Sequence, residues 1–559
     1  MTSTVGRRSA ATRLLGEPAF WVAAFLLLVL LGLSLPLRLP LGPNYWDTDV
    51  YLDAIHRIRL GQMPSLDFFA PVGPLGYWLA AAIGSLFPNA QPMLLVNWAV
   101  LPVALPILAL LADEVGGRSR RQALALLLPF LLFALLPVNL HGLYPAPGFD
   151  GYGHYNRHIA LLLYLLVAAL LFVRARALLT GLVSALMLAL VLFKITGAVA
   201  GALLVGYAVL AGRLRVRDAG LAAAIVLAAL GLLDLTTGVV GAYLRDILVL
   251  VSLNSGTLLP RFLTVASAKF NVVGPCLALI GALALAAWRV RSGPTLANLR
   301  DLIASPLGWL VAVFAALTLF ETQNTGSLEF IGLWPVLLLV LMEWWRRSDA
   351  MRPLVLVLVL AATLPSLVIY LERSARVVVG APIYAKLDLP DLGPLGRTSL
   401  KRELAERAQV MLDHYATHQD SYRDLMKRGQ APSTILYSEP DEQATWLLET
   451  QQAARAIRAW EAINNRRLES LFTLDFVDPL NWVLGRTPPR YLPIGIDPSR
   501  TNPALTPDAL AALAAADAIL APKCPPTMAR QMIADHFAPA LRGRTLVALA
   551  PCWDMYLRQ

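Results

Sequence analysis

Asp47 and Asp49 form a D-x-D pair within NYWDTDVYLDAIHRIRLGQMPSLDFFAPVGPLGYW, residues 44–78, with Asp53, His56, Arg57 and Arg59 following on a segment that reads as a helix. Two carboxylates two residues apart can share a divalent cation, or one can serve as a general base while the other orients it. A solvated loop with incidental acids and a helix cap is the plain alternative. A second polar stretch, NLHGLYPAPGFDGYGHYNRH at 139–158, gathers Asp150, His154, Asn156, Arg157 and His158 among aromatics and glycines. There Arg157 is a partner for a phosphate oxygen, and Tyr152 and Tyr155 offer faces on which a sugar ring can stack. LFKITGAVAG, 192–201, sets one lysine, Lys194, between two apolar runs. A compact ammonium suits a phosphate charge, although a lysine at a membrane interface can also simply snorkel. Glu321, Gln323 and Asn324 form a fourth polar group in ETQNTGS, 321–327.

These residues must be positioned by a membrane-embedded scaffold. Of the 559 residues 57% are hydrophobic and 15% charged, and the mean hydropathy is +0.60. That excess of apolar sequence excludes an ordinary soluble enzyme, a disordered chain, a collagen and a coiled coil. Apolar runs of bilayer-crossing length occur at 20–37, 94–112, 122–137, 158–173, 178–193, 195–212, 219–237, 272–288, 306–320, 328–345 and 353–371. A further run at 74–87 is short and marked by Gly and Pro, which suits an interfacial or partly inserted segment. If it does not cross, then Arg7, Arg8 and Arg13 share one side with Arg118/Arg120/Arg121, Arg174/Arg176, Arg213/Arg215/Arg217, Arg289/Arg291 and Arg346/Arg347. The positive-inside rule therefore selects eleven spans with a cytoplasmic N-terminus, and the odd number places residues 372–559 outside. Residues 1–7 onward, RRSAATRLLGEPAF included, lead into the first run without a small-residue cleavage site, so an uncleaved span is expected.

The charge divides accordingly. Residues 1–371 carry 25 Lys+Arg against 16 Asp+Glu and residues 372–559 carry 22 against 21, so the basic excess belongs to the apolar part. Such a bias reports membrane orientation, not nucleic-acid binding. The two expected domains are thus a transmembrane unit, 1–371, with a first outer loop at 38–93, and a soluble α/β unit, 372–559. In the second, strand-like runs at 434–438, 470–476, 518–522 and 545–551 alternate with helical stretches, which predicts a mainly parallel sheet. No GxGxxG follows a strand, so a dinucleotide site is not expected. Three cysteines are too few for a disulfide scaffold or a zinc site. Cys524 and Cys552 lie near strand ends of the exported unit, where a bridge and two free thiols are both compatible with the sequence.

The order D-x-D, Tyr, Arg, G-Q-x-P, D-F and G-P-L-x-Y-W resembles the first periplasmic loop of GT-C glycosyltransferases, particularly the bacterial lipid A aminoarabinose transferase and protein O-mannosyltransferase branch. Asp47 matches the family's loop acid, Gly73-Pro74-Leu75-Gly76-Tyr77-Trp78 its later segment, and Lys194 the lysine of its Lys-x-x-Gly element. The aminoarabinose branch carries a lysine before the proline pair, whereas this chain has Val72, so the resemblance implies that phosphate contacts come from elsewhere. It implies a polytopic α-helical fold of about eleven spans with a C-terminal periplasmic α/β domain, in a bacterial inner membrane. The implied activity transfers a sugar from a polyprenyl-phosphate donor to a glycan, lipid or protein acceptor, with inversion if there is one displacement. Asp47 and Asp49 are then catalytic, Lys194 and Arg157 hold the donor phosphate, and Asp150, His154, Tyr155, Glu321, Gln323 and Asn324 bind substrate. A divalent cation, Mg or Mn, on Asp49 and Asp150 is left open, since branches of the superfamily differ.

A transporter or flippase of lipid-linked saccharide is the rival reading. It predicts ionisable residues and broken helices near the bilayer midplane, often in related halves. The sequence has no internal repeat, and its acids fall mostly in loops or near span ends, Asp234 being the deepest. A scaffold whose exported unit binds a partner leaves the D-x-D loop unexplained.

Overall fold

The computed structural model describes residues 15–140, 148–254, 258–290, 296–323, 330–431, 442–498 and 500–559. The fold is mostly helical, and each of the eleven apolar runs coincides with a helix or a bent helix pair. Five helices are long and apolar enough to cross a bilayer: His154–Phe172, Arg176–Phe193, Val216–Thr237, Phe270–Arg289 and Arg352–Gly380. Three bent pairs, where each forms one span, raise the number to at most eight among the described residues. In the pair Asn298–Ala304 and Pro306–Thr322 the 58° bend falls where Pro306 pushes Ser305 out of helical geometry. Pro18–Ser34, Ile195–Leu210 and Ile331–Trp345 are shorter.

Burial separates the centre of the bundle from its lipid side. His154–Phe172 is buried along almost its whole length, on every face. Val216–Thr237 is equally apolar, yet only Ala222 and Val226 are buried, and Leu235 is 88% exposed. An apolar helix that hides so little of itself in protein is suited to lipid.

The C-terminal part is not a separate ball tethered to this bundle. The helix Arg352–Gly380 runs past residue 371, and Leu389, Leu400, Trp446 and Ile494 join the same hydrophobic core as the membrane helices. Leu39–Pro40 of the first outer loop pairs parallel with Thr398–Ser399, and Ala385–Lys386 completes a three-stranded sheet. The Arg38 guanidinium donates to the carbonyls of Leu387, Gly396 and Thr398, and the Tyr45 hydroxyl to that of Leu395 at 2.8 Å.

A second sheet has the spatial order Leu471–Thr473, Ala518–Pro522, Trp553–Leu557, Thr545–Ala550. Only its first two strands are parallel, which corrects the expected mainly parallel sheet. The run at 545–551 is followed two residues later by WDMYL, and a connection that short can only make a hairpin, hence antiparallel strands. The expected strand at 434–438 lies outside the described residues. Cys524 and Cys552 are bridged, with Cα atoms 5.2 Å apart, across the end of this sheet.

Candidate active site

The D-x-D pair opens the helix Trp46–Arg59. Residues two apart on a helix project about 200° from each other, so the two carboxylates diverge. Asp47 turns outward, half-buried, and its Oδ2 accepts the backbone N–H of Gly153 at 3.3 Å. Asp49 turns inward and is fully buried, with no hydrogen-bond partner for either oxygen among the described residues. Burial, then the charges of Asp53 and Asp478, push its pKa well above the usual carboxylate value. The structure thus corrects the reading of Asp49 as catalytic partner or metal ligand: it does not face Asp47's surroundings.

The other residues of this helix lock it to the C-terminal part. Arg57 is buried, pairs with Asp53 at 3.0 Å and donates to the Pro489 carbonyl at 2.7 Å. Gln62 donates to the Pro488 carbonyl at 3.0 Å, and His56 Nε2 to that of Arg486 at 2.6 Å. Further along, Phe69 N–H donates to the Leu492 carbonyl and Ile494 N–H to the Phe69 carbonyl, both at 3.1 Å. Residues 486–494 therefore lie as a strap along the first outer loop.

The turn before His154–Phe172 forms the other wall around Asp47. Gly153 has φ +65°, a left-handed conformation that glycine adopts without strain, and this aims its N–H at Asp47. One residue earlier, Tyr152 N–H donates to Asp150 Oδ1 at 2.9 Å. The two carboxylates are thus held by successive amides. Burial pushes Asp47 up to about 7; the Gly153 N–H and Arg500 oppose the rise, while Asp150 and Asp497 add to it. Burial likewise pushes Asp150 up to about 6 against the opposing charge of Arg157.

His154 and Arg157 belong to the interior. His154 Nε2 lies 3.3 Å from Thr48 Oγ1, and its Nδ1 3.3 Å from Arg157 Nη1. Arg157 is fully buried and donates to Asn97 Oδ1 at 3.0 Å, to Asn139 Oδ1 and to the Asp150 carbonyl. Through these bonds Arg157 braces the Asp150 turn from within the protein interior.

Lys194 does face open space. It stands between Arg176–Phe193 and Ile195–Leu210, donates to Asn156 Oδ1 at 3.0 Å, and lies over the Tyr155 ring at 4.3 Å from the centroid. The first loop reaches it through Gly73, whose N–H donates to the Phe193 carbonyl at 2.9 Å. A Cβ on Gly73 would sit 2.2 Å from the Leu192 carbonyl oxygen, so only glycine permits the approach. Val72 is thereby placed in the wall of a cavity of about 290 Å³, together with Lys194, Tyr155, Asn254, Arg261 and Arg500. Ile247, Leu250 and Val251 of the helix Val239–Asn254 supply an apolar side, and their neighbour Leu248 is 70% exposed on the lipid-suited surface. Lys194, Arg261 and Arg500 lie within electrostatic reach of one another. An anion placed among these basic side chains would favour their charged forms.

Glu321 is buried away from this cavity, its Oε1 accepting the Phe330 N–H at 3.0 Å with Lys269 nearby. Gln323 ends the helix Pro306–Gln323, and Asn324 lies outside the described residues. Among the described residues no three His, Cys, Asp or Glu side chains converge to hold a metal ion, and Asp49 and Asp150 have separate neighbours. Arg261 and Arg500 escaped the sequence reading. Arg261 had a signal, being a lone arginine in the otherwise largely apolar stretch Leu258–Ala268. Arg500, in the turn PSRTN, had none.

No protein-family model matches the chain, and no curated protein matches it. Two solved structures align with it over nearly its whole length, both of ArnT from Cupriavidus metallidurans. The apo structure is 13% identical with a TM-score of 0.38, the alignment covering 99% of each chain. The structure bound to undecaprenyl phosphate is 13% identical with a TM-score of 0.39, covering 96% of this chain and 98% of that one.

Proposed function

We propose that the protein is an integral membrane glycosyltransferase of the bacterial inner membrane that takes a sugar from a polyprenyl-phosphate donor. In this reading the N-terminus is cytoplasmic, and the first outer loop and the C-terminal domain are periplasmic. The observation that carries it is one juxtaposition: a half-buried carboxylate, Asp47, shares its neighbours Tyr155 and Arg500 with a cationic cavity that has an apolar wall. A base beside a phosphate-sized cationic site, next to lipid-suited surface, matches a donor whose leaving group is anchored in the membrane.

The acceptor hydroxyl gives its proton to Asp47 as its oxygen attacks the anomeric carbon, and the bond from that carbon to the phosphate oxygen breaks. The phosphodiester leaves as a phosphate monoester, gaining one negative charge. Lys194 and Arg261 are placed to stabilise that gain more than the ground state, which is what accelerates the step. A single displacement of this kind inverts the anomeric configuration. Tyr155 offers an apolar face for the sugar or the phosphate rim, already polarised by Lys194.

Purified full-length protein, presented with a panel of undecaprenyl-phosphate sugars and candidate acceptors, should release undecaprenyl phosphate with at least one donor. No release from any donor, with saccharide translocation in proteoliposomes instead, would replace this reading with that of a flippase.

A further inference from the structure

We propose that Arg500 of the C-terminal domain completes the donor-phosphate site formed with Lys194 and Arg261. The inference rests on the glycosyltransferase reading above. Arg500 lines the same cavity as Lys194 and Arg261, so the C-terminal part adds a third basic side chain to a site whose other walls come from the helices and the first loop. The delivery is structural. Residues 486–494 are hydrogen-bonded along the first loop from His56 to Phe69. Beyond them the chain turns tightly: Arg500 and Thr501 N–H groups donate to the Asp497 carbonyl at 3.1 and 3.0 Å, and the Asp497 N–H donates back to Thr501 Oγ1 at 2.9 Å. Asn254, whose Oδ1 takes Arg261 Nη2 at 3.0 Å, donates to the Arg500 carbonyl at 3.1 Å. One asparagine thus ties the two arginines' positions together.

The Arg500 side chain, which lines the cavity, also lies within electrostatic reach of Tyr155, Tyr152, Asp497 and Asp47. Its guanidinium can engage two phosphate oxygens at once while Lys194 acts as a point charge. Arg500 is accordingly a direct ligand of the donor phosphate, and it makes donor binding depend on the C-terminal part of the chain.

The test measures binding of undecaprenyl phosphate, undecaprenol and inorganic phosphate to the full-length protein in detergent micelles. Arg500→Ala should weaken undecaprenyl phosphate binding by roughly tenfold or more, Arg500→Lys should recover part of the loss, and undecaprenol binding should not change. Inorganic phosphate at millimolar concentration should compete less than the lipid phosphate, because it lacks the apolar wall contact. Arg490→Ala, on the same strap but paired with Asp67 outside the cavity, is the control and should bind normally. Equal undecaprenyl phosphate affinity in wild type and Arg500→Ala would overturn the assignment while leaving the glycosyltransferase reading intact. A wild-type protein that binds no undecaprenyl phosphate overturns both.

Discussion

The pH dependence of turnover tests the mechanism most directly. Asp47 is an ordinary carboxylate by sequence, with a usual value of 3.8, and burial beside Asp150 and Asp497 pushes it up to about 7. Only the ionised form accepts a proton, so activity is present above that value and lost as pH falls through it. With a midpoint near 7, about 9% of Asp47 is ionised at pH 6 and about 91% at pH 8, a span of roughly tenfold. An unperturbed aspartate would be ionised throughout that interval and would give a flat profile. Initial rates with undecaprenyl-phosphate sugar well below saturation report kcat/KM and hence the free enzyme's titration. Asp150→Asn removes a neighbouring negative charge and should move the midpoint down, whereas Arg500→Ala removes a positive one and should move it up. Asp47→Asn should lose about 100-fold or more in kcat with donor binding retained. A rate that is constant from pH 6 to 8, or near-normal turnover in Asp47→Asn, would refute the assignment of the base.

Lys194→Ala should lower donor affinity by about tenfold and kcat by a further factor of roughly 100, since a phosphate contact acts on both donor and leaving group; steady-state kinetics over donor concentration separate the two. Asp49→Asn should fold and should flatten the pH dependence of stability. Because Asp49's folded pKa is raised, its stabilising protonation is complete below its unfolded value of about 3.9 and is lost as pH rises, at up to about 1.4 kcal/mol per pH unit. Thermal melts from pH 5 to 9 should therefore fall more steeply in wild type than in the variant, and parallel curves would contradict the buried, unpaired carboxyl. Unreduced peptide mapping should recover Cys524 linked to Cys552, and removing a bridge across 28 residues should cost about 3.5 kcal/mol. A reporter fused after Gln559 should be active only outside the cytoplasm; cytoplasmic activity would overturn the assigned orientation.

The helices were the legible part of the structure, because a chain that must satisfy every backbone group inside lipid writes each span as a continuous apolar run. Asp47 and Lys194 were legible for the opposite reason: a charged group next to such a run is expensive unless it has a task. What could not be read was direction. The spacing of Asp47 and Asp49 suggests a pair on a loop, but on a helix it separates them, and one of the charges acting on buried Asp49, that of Asp478, belongs to a residue more than 400 positions away. Arg157 carries the same charge as Lys194 and sits as near a span end, yet Asn97 and Asn139, from other segments, capture it. Arg500 reaches the cavity through pairings of a strap whose residues have no local pattern, and tertiary contacts alone select it.

The pairing of Leu39–Pro40 with Thr398–Ser399 sets an order of events in the cell. At ribosomal speeds of about 5–20 residues per second, the first outer loop is made roughly 20–70 seconds before the strand that completes it. Through that interval the aspartate-bearing helix has no strap, no parallel partner and no Arg500 beside it. A nascent or truncated chain ending at the last apolar helix therefore carries the membrane bundle but leaves Asp47 without the strand, the strap and the arginine that complete its surroundings.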